Sequence, residues 1–528
     1  MSAWRDWIPT QHTGRHLATI NPDLAGRGSA HPEGDVAGSF QENFLNTGLC
    51  TLGETKRGVC VSTGFESEHK ILSKPWHTQR QHLIISAMSH FAAELVEAGY
   101  EVDYRRASSY EEGLRRHRED FSVGEVVAMA PASWGGRKLL ERLGVATVPN
   151  NQFLCGEDDF AAWSQARKNM RMEDFYRWQR KRLDVLMDGT QPEGGRWNFD
   201  AENRKPPPKD GRSWPALRRF PLDQTDHDVL QRLPNSWGSE PNGTWPVTRS
   251  QALERLEEFV AEGLPEFGAF EDAMLKDEWK LSHSCLSSSM NLGLLHPSEV
   301  IAAVENAYRN GTAPINSVEG YIRQVLGWRE YVWGLYWMWM PEYLHSNFFE
   351  ANQPIPPVFL GEAETKMVCV ETAMRHLQET GYTHHIERLM VFGNLALTVG
   401  IEPQAMMDWM WSSFVDGAEW VMAPNVLGMA LYADGGAMSS KPYASGGAYL
   451  NRMSDSCRNC AFDPKKRVGD DACPYTTLYW DFLDRHRDAL SSNHRLSLQY
   501  GNLSRLSDLE SIRVRASEVR DRLRKGAL

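Results

Sequence analysis

From Gln81 to Ala98 apolar side chains fall at Leu83, Ile84, Met88, Phe91, Leu95 and Val96, the three-to-four spacing that lines one face of an α-helix. Gly99 follows as a stop, and "YEVDYRR" then reads as a strand. The order repeats at once. "EVVAMA" is a short buried strand, Ser133 can cap a helix running through Arg142, Gly144 closes it, and "VATVP" is the next strand. Alternating strand and helix predicts a parallel sheet covered by helices, so residues 1–150 are expected to form an α/β, Rossmann-like domain.

Beyond about Asn150 the strand signals fade. The stretch from Pro192 to Pro246 is rich in Pro, Gly, Asn and charge, too polar and broken for a core, so residues 151–249 are expected to be a linker with helical and irregular parts. From Ser250 helix follows helix. Leu253, Leu256, Phe259 and Val260 share one face, and the clearest run extends from Val318 to about Met340, with Asn316 as the expected N-cap and Glu319 three residues later. Residues 250–528 are therefore expected to be a large all-α domain.

At 528 residues the chain exceeds the size at which one core keeps growing, in line with more than one domain. It has no long apolar run, and its first residues lack the apolar segment of a signal peptide; a soluble, cytoplasmic monomer away from membranes is expected. Eight cysteines are too few for a secreted disulfide scaffold, and Cys50, Cys60, Cys155 and Cys285 are scattered. The net charge of −12 excludes a generally basic nucleic-acid binder but leaves room for a local basic groove. Nineteen tryptophans suit a bulky helical core, or an aromatic flavin pocket and electron-transfer chain.

Three cysteines do cluster. Cys457-x2-Cys460-x12-Cys473 is a thiolate array suited to zinc or an iron–sulfur centre, with Cys369 or Cys285 as the fourth ligand. His384 and His385 start a helix; adjacent positions point about 100° apart, which makes them poor joint ligands but leaves a structural role or proton transfer near neutral pH. "SHSCLSSSMN", residues 282–291, offers hydroxyls and amides ahead of a helix, either as an ordinary turn or as a phosphate cradle. The basic stretches "RWQRKR" and "RKPPPKDGR" read as solvated faces before DNA contacts.

From about residue 77 to residue 490 the chain resembles the iron–sulfur bacterial cryptochromes and photolyases, the prokaryotic (6-4) photolyase family. The match is dense in "RMEDFYRWQRKR", "QPEGGRWNFDAENRK", "LGWREYVWGLYW", "GYTHHIERLMVFGN", "KPYASGGAYLNRMSD" and "CPYTTLYWDFLDRHRD". The resemblance implies the cryptochrome/photolyase fold, with an α/β antenna domain and a helical domain holding a bent FAD. It assigns a [4Fe-4S] cluster to Cys369, Cys457, Cys460 and Cys473, and FAD contacts to Ser284, Cys285, Leu286, Ser287, Gln324, Arg329, Arg388 and Asp416. His384, His385 and Tyr443 correspond to the residues beside the lesion, and Trp409 to an electron-transfer tryptophan. The implied activity is light-driven electron transfer from reduced FAD that repairs (6-4) photoproducts in UV-damaged DNA; the alternative is a cryptochrome-type photoreceptor.

Several positions depart from the family pattern. Gly361 stands where a tryptophan precedes the first cluster cysteine, and Met410 replaces the tyrosine of a Trp-Tyr pair; Trp411, or Trp337 and Trp339, are the available stand-ins. Met422 occupies the position of a carboxylate near flavin N5, where a thioether has no proton to give. The residues from Gly34 to Val59 read as an insertion. Relatives carry a 6,7-dimethyl-8-ribityllumazine antenna, for which Glu66 is a loosely matched contact.

Overall fold

In the computed structural model, which describes residues 51–55, 60–165, 167, 170–234 and 236–528, five strands form one sheet in the order β3-β2-β1-β4-β5. They are β1 (Thr51–Thr55), β2 (Cys60–Ser67), β3 (Glu101–Ala107), β4 (Val123–Met129) and β5 (Ala146–Val148). β2 pairs parallel with β3 (Val61 opposite Glu101), and β4 parallel with β5 (Val127 opposite Ala146). The central β1 runs antiparallel to both its neighbours, with Thr51 opposite Thr63 and Leu52 opposite Val127. This corrects the expected wholly parallel, Rossmann-like sheet to a mixed one. Only four residues, 56–59, separate β1 from β2 in the sequence, and so short a link joins antiparallel strands, whereas a parallel pair needs a crossover of a dozen residues or more. Most of the expected insertion over 34–59 lies outside the described residues.

Two compact units divide the chain, each drawing on separate stretches. The first comprises the described residues up to Ala162 together with Leu217–Glu258 and Cys285–Ala303. Its helices include α1 (Thr78–Glu97), α2 (Tyr110–Phe121), α3 (Trp134–Leu143) and α4 (Gln224–Arg232). The ends of α3 are as expected: Ser133 Oγ accepts from Gly136 N at 3.1 Å, and Gly144 closes the helix at φ 62°. Phe65, Leu114, Val126, Ala128 and Leu140 make the core, each at most 2% exposed; a fully buried large apolar side chain is worth about 1.5–3 kcal/mol.

The second unit comprises Trp163–Ala216, Phe259–Ser284 and Val304–Leu528. It contains α5 (Ile315–Ile322), a π-helical stretch over Arg323–Arg329, α6 (Glu330–Trp339), α7 (Val368–Thr380), α8 (Pro403–Ser413), α9 (Pro474–Arg485) and α10 (Leu509–Arg524). The stripe Ile512, Ala516, Val519 and Leu523 buries α10 against α9. The long run expected from Val318 is present, but its start is corrected: the N-cap is Pro314, in extended conformation. Asn316 donates instead to Asn203 Oδ1 at 3.0 Å, and Glu319 accepts from Phe199 N at 3.0 Å, so tertiary partners outcompete the capping box. Within "RWQRKR", Arg180 is no solvated residue. It is fully buried and donates to the carbonyls of Val185 (3.2 Å), Leu186 and Trp197 (3.4 Å), tying down a loop in which Asp184 and Leu186 have left-handed backbone. Among the described residues no helix is long and apolar enough to cross a membrane.

Candidate active site and metal centre

The chain leaves α7 at Gly381, in left-handed conformation, and runs through Tyr382 and Thr383 to the histidine pair. Consecutive residues diverge here as helical geometry requires: His384 is fully buried, while the His385 imidazole keeps 47% of its surface exposed. From the loop after Leu281, itself at φ 45°, His283 stacks on His384 with ring centroids 4.6 Å apart and planes 11° apart, and lies 5.4 Å edge-on to His385. Nitrogens of all three rings fall within 4.8 Å of one another. Imidazole lone pairs lie in the ring plane, so two parallel stacked rings do not converge on one ion, and the arrangement suits proton handling better than metal binding.

Neither ring nitrogen of His384 has a hydrogen-bond partner. Burial, reinforced by the neighbouring His283 and His385, holds its pKa well below the usual imidazole value, so it is neutral. For His385 burial acts downward too, but Asp272 Oδ1 at 3.3 Å and the charge of Glu271 outweigh it on this half-open ring, and its pKa is raised. Glu271 is 5% exposed; burial and the nearby Asp272 and Asp200 push its carboxyl up to about 7, against the pull of His385 and Arg323. Tyr443 is exposed on the surface, within electrostatic reach of Arg204, Arg495, Asp200 and Asp272. Sequence reading missed His283, Glu271 and Asp272. Their signals were present in the carboxylate doublet of "FEDAM" and in the histidine of a segment noticed only for its hydroxyls.

Arg388 grips Asp416 through contacts of 2.9 and 3.2 Å, donates from Nε to Thr383 O at 2.7 Å, and lies 4.1 Å above the Phe414 ring. One guanidinium thus ties Asp416 to the histidine segment. Arg329 pairs with the fully buried Glu330 at 2.7 Å and covers Trp420 at 5.4 Å; Gln324 is half-buried in the π-helical stretch, and Met422 is buried. Ser284 Oγ accepts from the Tyr321 hydroxyl at 3.1 Å. These residues belong to the second unit, as do the buried hydroxyls of Ser282, Thr383 and Ser413, which lack hydrogen-bond partners. Cys285, Leu286 and Ser287 belong to the first unit, where Ser287 opens a short helix whose Ser288 and Ser289 hydroxyls are likewise buried and without hydrogen-bond partners.

Trp409 stacks on Phe359 (4.9 Å, 23°) and donates to its carbonyl at 2.9 Å. Gly361 sits in left-handed backbone at φ 73°, exposed, which favours glycine and disfavours the family's tryptophan. Met410 is buried core. Of the stand-ins, Trp337 extends a continuous aromatic ladder: Trp420 to Trp333 at 5.9 Å, Trp333 to Trp337 at 5.4 Å. Trp339 packs on Tyr343 instead, and Trp411 is buried. In the first unit Glu66 is 1% exposed and accepts from the Tyr104 hydroxyl at 2.8 Å and Arg232 Nη2 at 2.9 Å, so its carboxylate is already engaged by protein groups.

Cys369, Cys457, Cys460 and Cys473 line one small cavity, closed by Met367, Leu450, Phe462, Pro474 and Tyr475. Cys369 comes from the first turn of α7, and Cys473 is the N-cap of α9, where the amides of Tyr475 and Thr476 face its sulfur. A Cβ on Gly447 would stand 2.8 Å from that sulfur, so glycine is needed there. Burial first, then the other thiols, raises Cys369 well above the usual value and pushes Cys457 up to about 12; thiols gathered this way ionise only with a compensating cation. Between the two candidates for fourth ligand, Cys369 is in the cavity lining and Cys285 is not. Among the described residues the groups whose ligand atoms close to within 4.8 Å in threes are histidine-bearing, and the cysteine sulfurs are not among them. A single zinc ion, with Zn–S of about 2.3 Å, would draw its sulfurs to about 3.8 Å from one another.

A (6-4) photolyase of Agrobacterium fabrum (strain C58) is 42% identical over 447 residues, 82% of this chain and 88% of that protein. The chain belongs to the bacterial photolyase family. The family model for deoxyribodipyrimidine photo-lyase-related proteins matches residues 50–244. The crystal structure of a bacterial class III photolyase from Agrobacterium tumefaciens shares the fold, with a TM-score of 0.55 at 16% identity over 88% of this chain and 92% of that one. Uncharacterized protein R855 of Acanthamoeba polyphaga mimivirus is 28% identical over 109 residues, 21% of this chain and 81% of that one.

Proposed function

We propose that this photolyase repairs (6-4) pyrimidine photoproducts in UV-damaged DNA under blue light. The observation that carries the reading is the polarised histidine pair: a buried imidazole with both nitrogens unsatisfied and its pKa held down, beside an exposed imidazole whose pKa Asp272 raises. A flipped lesion would meet His385 first, the exposed ring whose raised pKa favours the proton-donating form, with the buried His384 beside it. Taking the proton back restores the site, and Glu271, which titrates near neutral pH, holds the charge balance behind it. Tyr443 feels the charge of Asp272, as His385 does.

Bound FAD, fully reduced, would supply the light-driven electron. The candidates to hold it are Ser284, Cys285, Leu286, Ser287, Gln324, Arg329, Arg388, Asp416 and Met422, and the buried hydroxyls of Ser288, Ser289, Ser282, Thr383 and Ser413 are the unsatisfied groups a polar cofactor would satisfy. The four thiols suit a [4Fe-4S] cluster: an all-sulfur donor set in a small apolar cavity. A lumazine antenna, if bound, would contact Glu66 only by competing with Tyr104 and Arg232. Trp409, with its aromatic neighbours, remains the candidate electron-transfer residue of the family position.

A cryptochrome-type photoreceptor is the second reading, favoured by the absence of aromatic rings at Gly361 and Met410. Irradiating chemically pre-reduced protein with a (6-4)-containing oligonucleotide, against a dark control, decides between them. Light-dependent repair supports the enzyme; no repair by protein that retains flavin and iron favours the photoreceptor.

A further inference from the structure

A second group of ligand-type side chains, wholly within the first unit, plays no part in the chemistry above. α1 and α4 pack together, and His90 of α1 faces Asp223, the N-cap of α4, and Asp226, its third residue. His90 Nε2 stands 3.6 Å from Asp223 Oδ1 and 3.8 Å from Asp226 Oδ1, and the ligand atoms of all three residues lie within 4.8 Å of one another. The Asp226 side chain is only 2% exposed; its Oδ1 is 3.2 Å from His82 Nε2, whereas His90 Nε2, at 3.8 Å, stands beyond hydrogen-bond distance. His90 Nε2 thus faces two carboxylates beyond hydrogen-bond distance of either.

The surroundings hold these groups in place. A reciprocal capping box fixes both carboxylates: Asp226 N donates to Asp223 Oδ1 at 3.1 Å, and Asp223 N to Asp226 Oδ2 at 3.1 Å. Behind Asp226, His82 Nε2 lies 3.2 Å from its Oδ1 and 3.1 Å from Ser86 Oγ. The separations from His90 exceed the hydrogen-bond range of about 2.7–3.2 Å. They approach the ligand-to-ligand edge of a zinc tetrahedron, about 3.3–3.4 Å for bonds of about 2.0–2.1 Å. One imidazole with two carboxylates suits a borderline ion such as zinc better than magnesium or calcium, which take oxygen ligands. Asp223, 56% exposed, leaves a path for the ion and an open position for water.

We propose that His90, Asp223 and Asp226 bind a zinc-class divalent ion that cross-links α1 to α4, with His82 as a positioning residue for Asp226. The test takes the flavin- and cluster-loaded protein, strips loosely bound metal with a chelator, titrates Zn2+ by calorimetry and reads the zinc shell by X-ray absorption. The expected result is one equivalent bound below micromolar concentration, with a shell of nitrogen and oxygen containing one imidazole. His90→Ala should abolish that equivalent. Asp223→Asn keeps the cap, since asparagine caps as well as aspartate, and should weaken binding by about tenfold or more; circular dichroism confirms that both variants fold. His384→Ala should leave this equivalent untouched. Sulfur in the shell, more than one imidazole, an unchanged affinity in Asp223→Asn, or uptake only at millimolar zinc would overturn the assignment.

Discussion

Replacing Glu271 by glutamine tests the electrostatics of the histidine site directly. The carboxyl is 5% exposed, its Oε2 has no hydrogen-bond partner, and its pKa rises from 4.5 to about 7 because burial and the charges of Asp272 and Asp200 outweigh His385 and Arg323. A carboxyl with a raised folded-state pKa contributes most to stability while protonated. Its contribution is complete below pH 4.5, falls as pH rises through the window to about 7, and is flat above. A shift of about 2.5 units at about 1.36 kcal/mol per unit is a loss of about 3 kcal/mol. Glu271→Gln stays neutral throughout, so its stability relative to wild type should climb by about 3 kcal/mol across that window. Other titrating groups are common to both proteins and largely cancel. Because the chain has two units, the quantity to follow is hydrogen exchange in the second unit, measured on matched samples from pH 4 to pH 9. Loss of the Glu271 charge also removes support for the His385 cation, so the alkaline limb of repair should move to lower pH. A wild-type-minus-variant difference that does not change with pH would refute both the burial argument and the proposed charge balance.

Three further outcomes are expected. Cys457→Ser should release iron and lower the thermal stability of the second unit, checked by iron analysis and calorimetry; retained iron with an unchanged melt would remove the cluster assignment. Asp416→Ala leaves a mostly buried Arg388 without its carboxylate, since the two side chains are 8% and 19% exposed; a loss of about 3 kcal/mol is expected, with weaker flavin retention on gel filtration. Trp333→Phe interrupts the ladder from Trp420 to Trp337 and should slow photoreduction of the bound flavin several-fold, whereas an unaffected rate would return the role to the Trp409 neighbourhood.

The parts of the fold legible in the sequence are those decided by neighbours in the chain. Ser133 and Gly144 bound α3 because a cap is a contact across a few residues, and the apolar stripe of α1 is a property of helical spacing alone. Strand direction is different: nothing in the composition of "TLGET" says that it runs opposite to both its neighbours, and only its short link to β2 carries the hint. Asn316 and Glu319 have the right spacing for a capping box, yet Asn203 and Phe199, more than a hundred positions away, claim their side chains.

The candidate site divides in the same way. Cysteine spacing is local and readable; spacing alone leaves Cys369 and Cys285 open as fourth ligand, the family resemblance implies Cys369, and Cys369 is the one that lines the cavity. The divergence of His384 and His385 follows from helix geometry and needs no fold. The opposite shifts of their pKa values do, because these depend on His283 arriving from one segment, Asp272 and Glu271 from another, and Arg323, through Glu271, from a third. Sequence therefore names the residue types of a proton-transfer site before it can say which of them holds the proton. Gly361 shows the converse. Its left-handed, exposed turn argues against a buried tryptophan at that point, so the missing ring reflects a change of backbone as well as of side chain. Restoring an electron route there by Gly361→Trp would have to rebuild the turn, whereas Trp420, Trp333 and Trp337 already lie in ring contact without it.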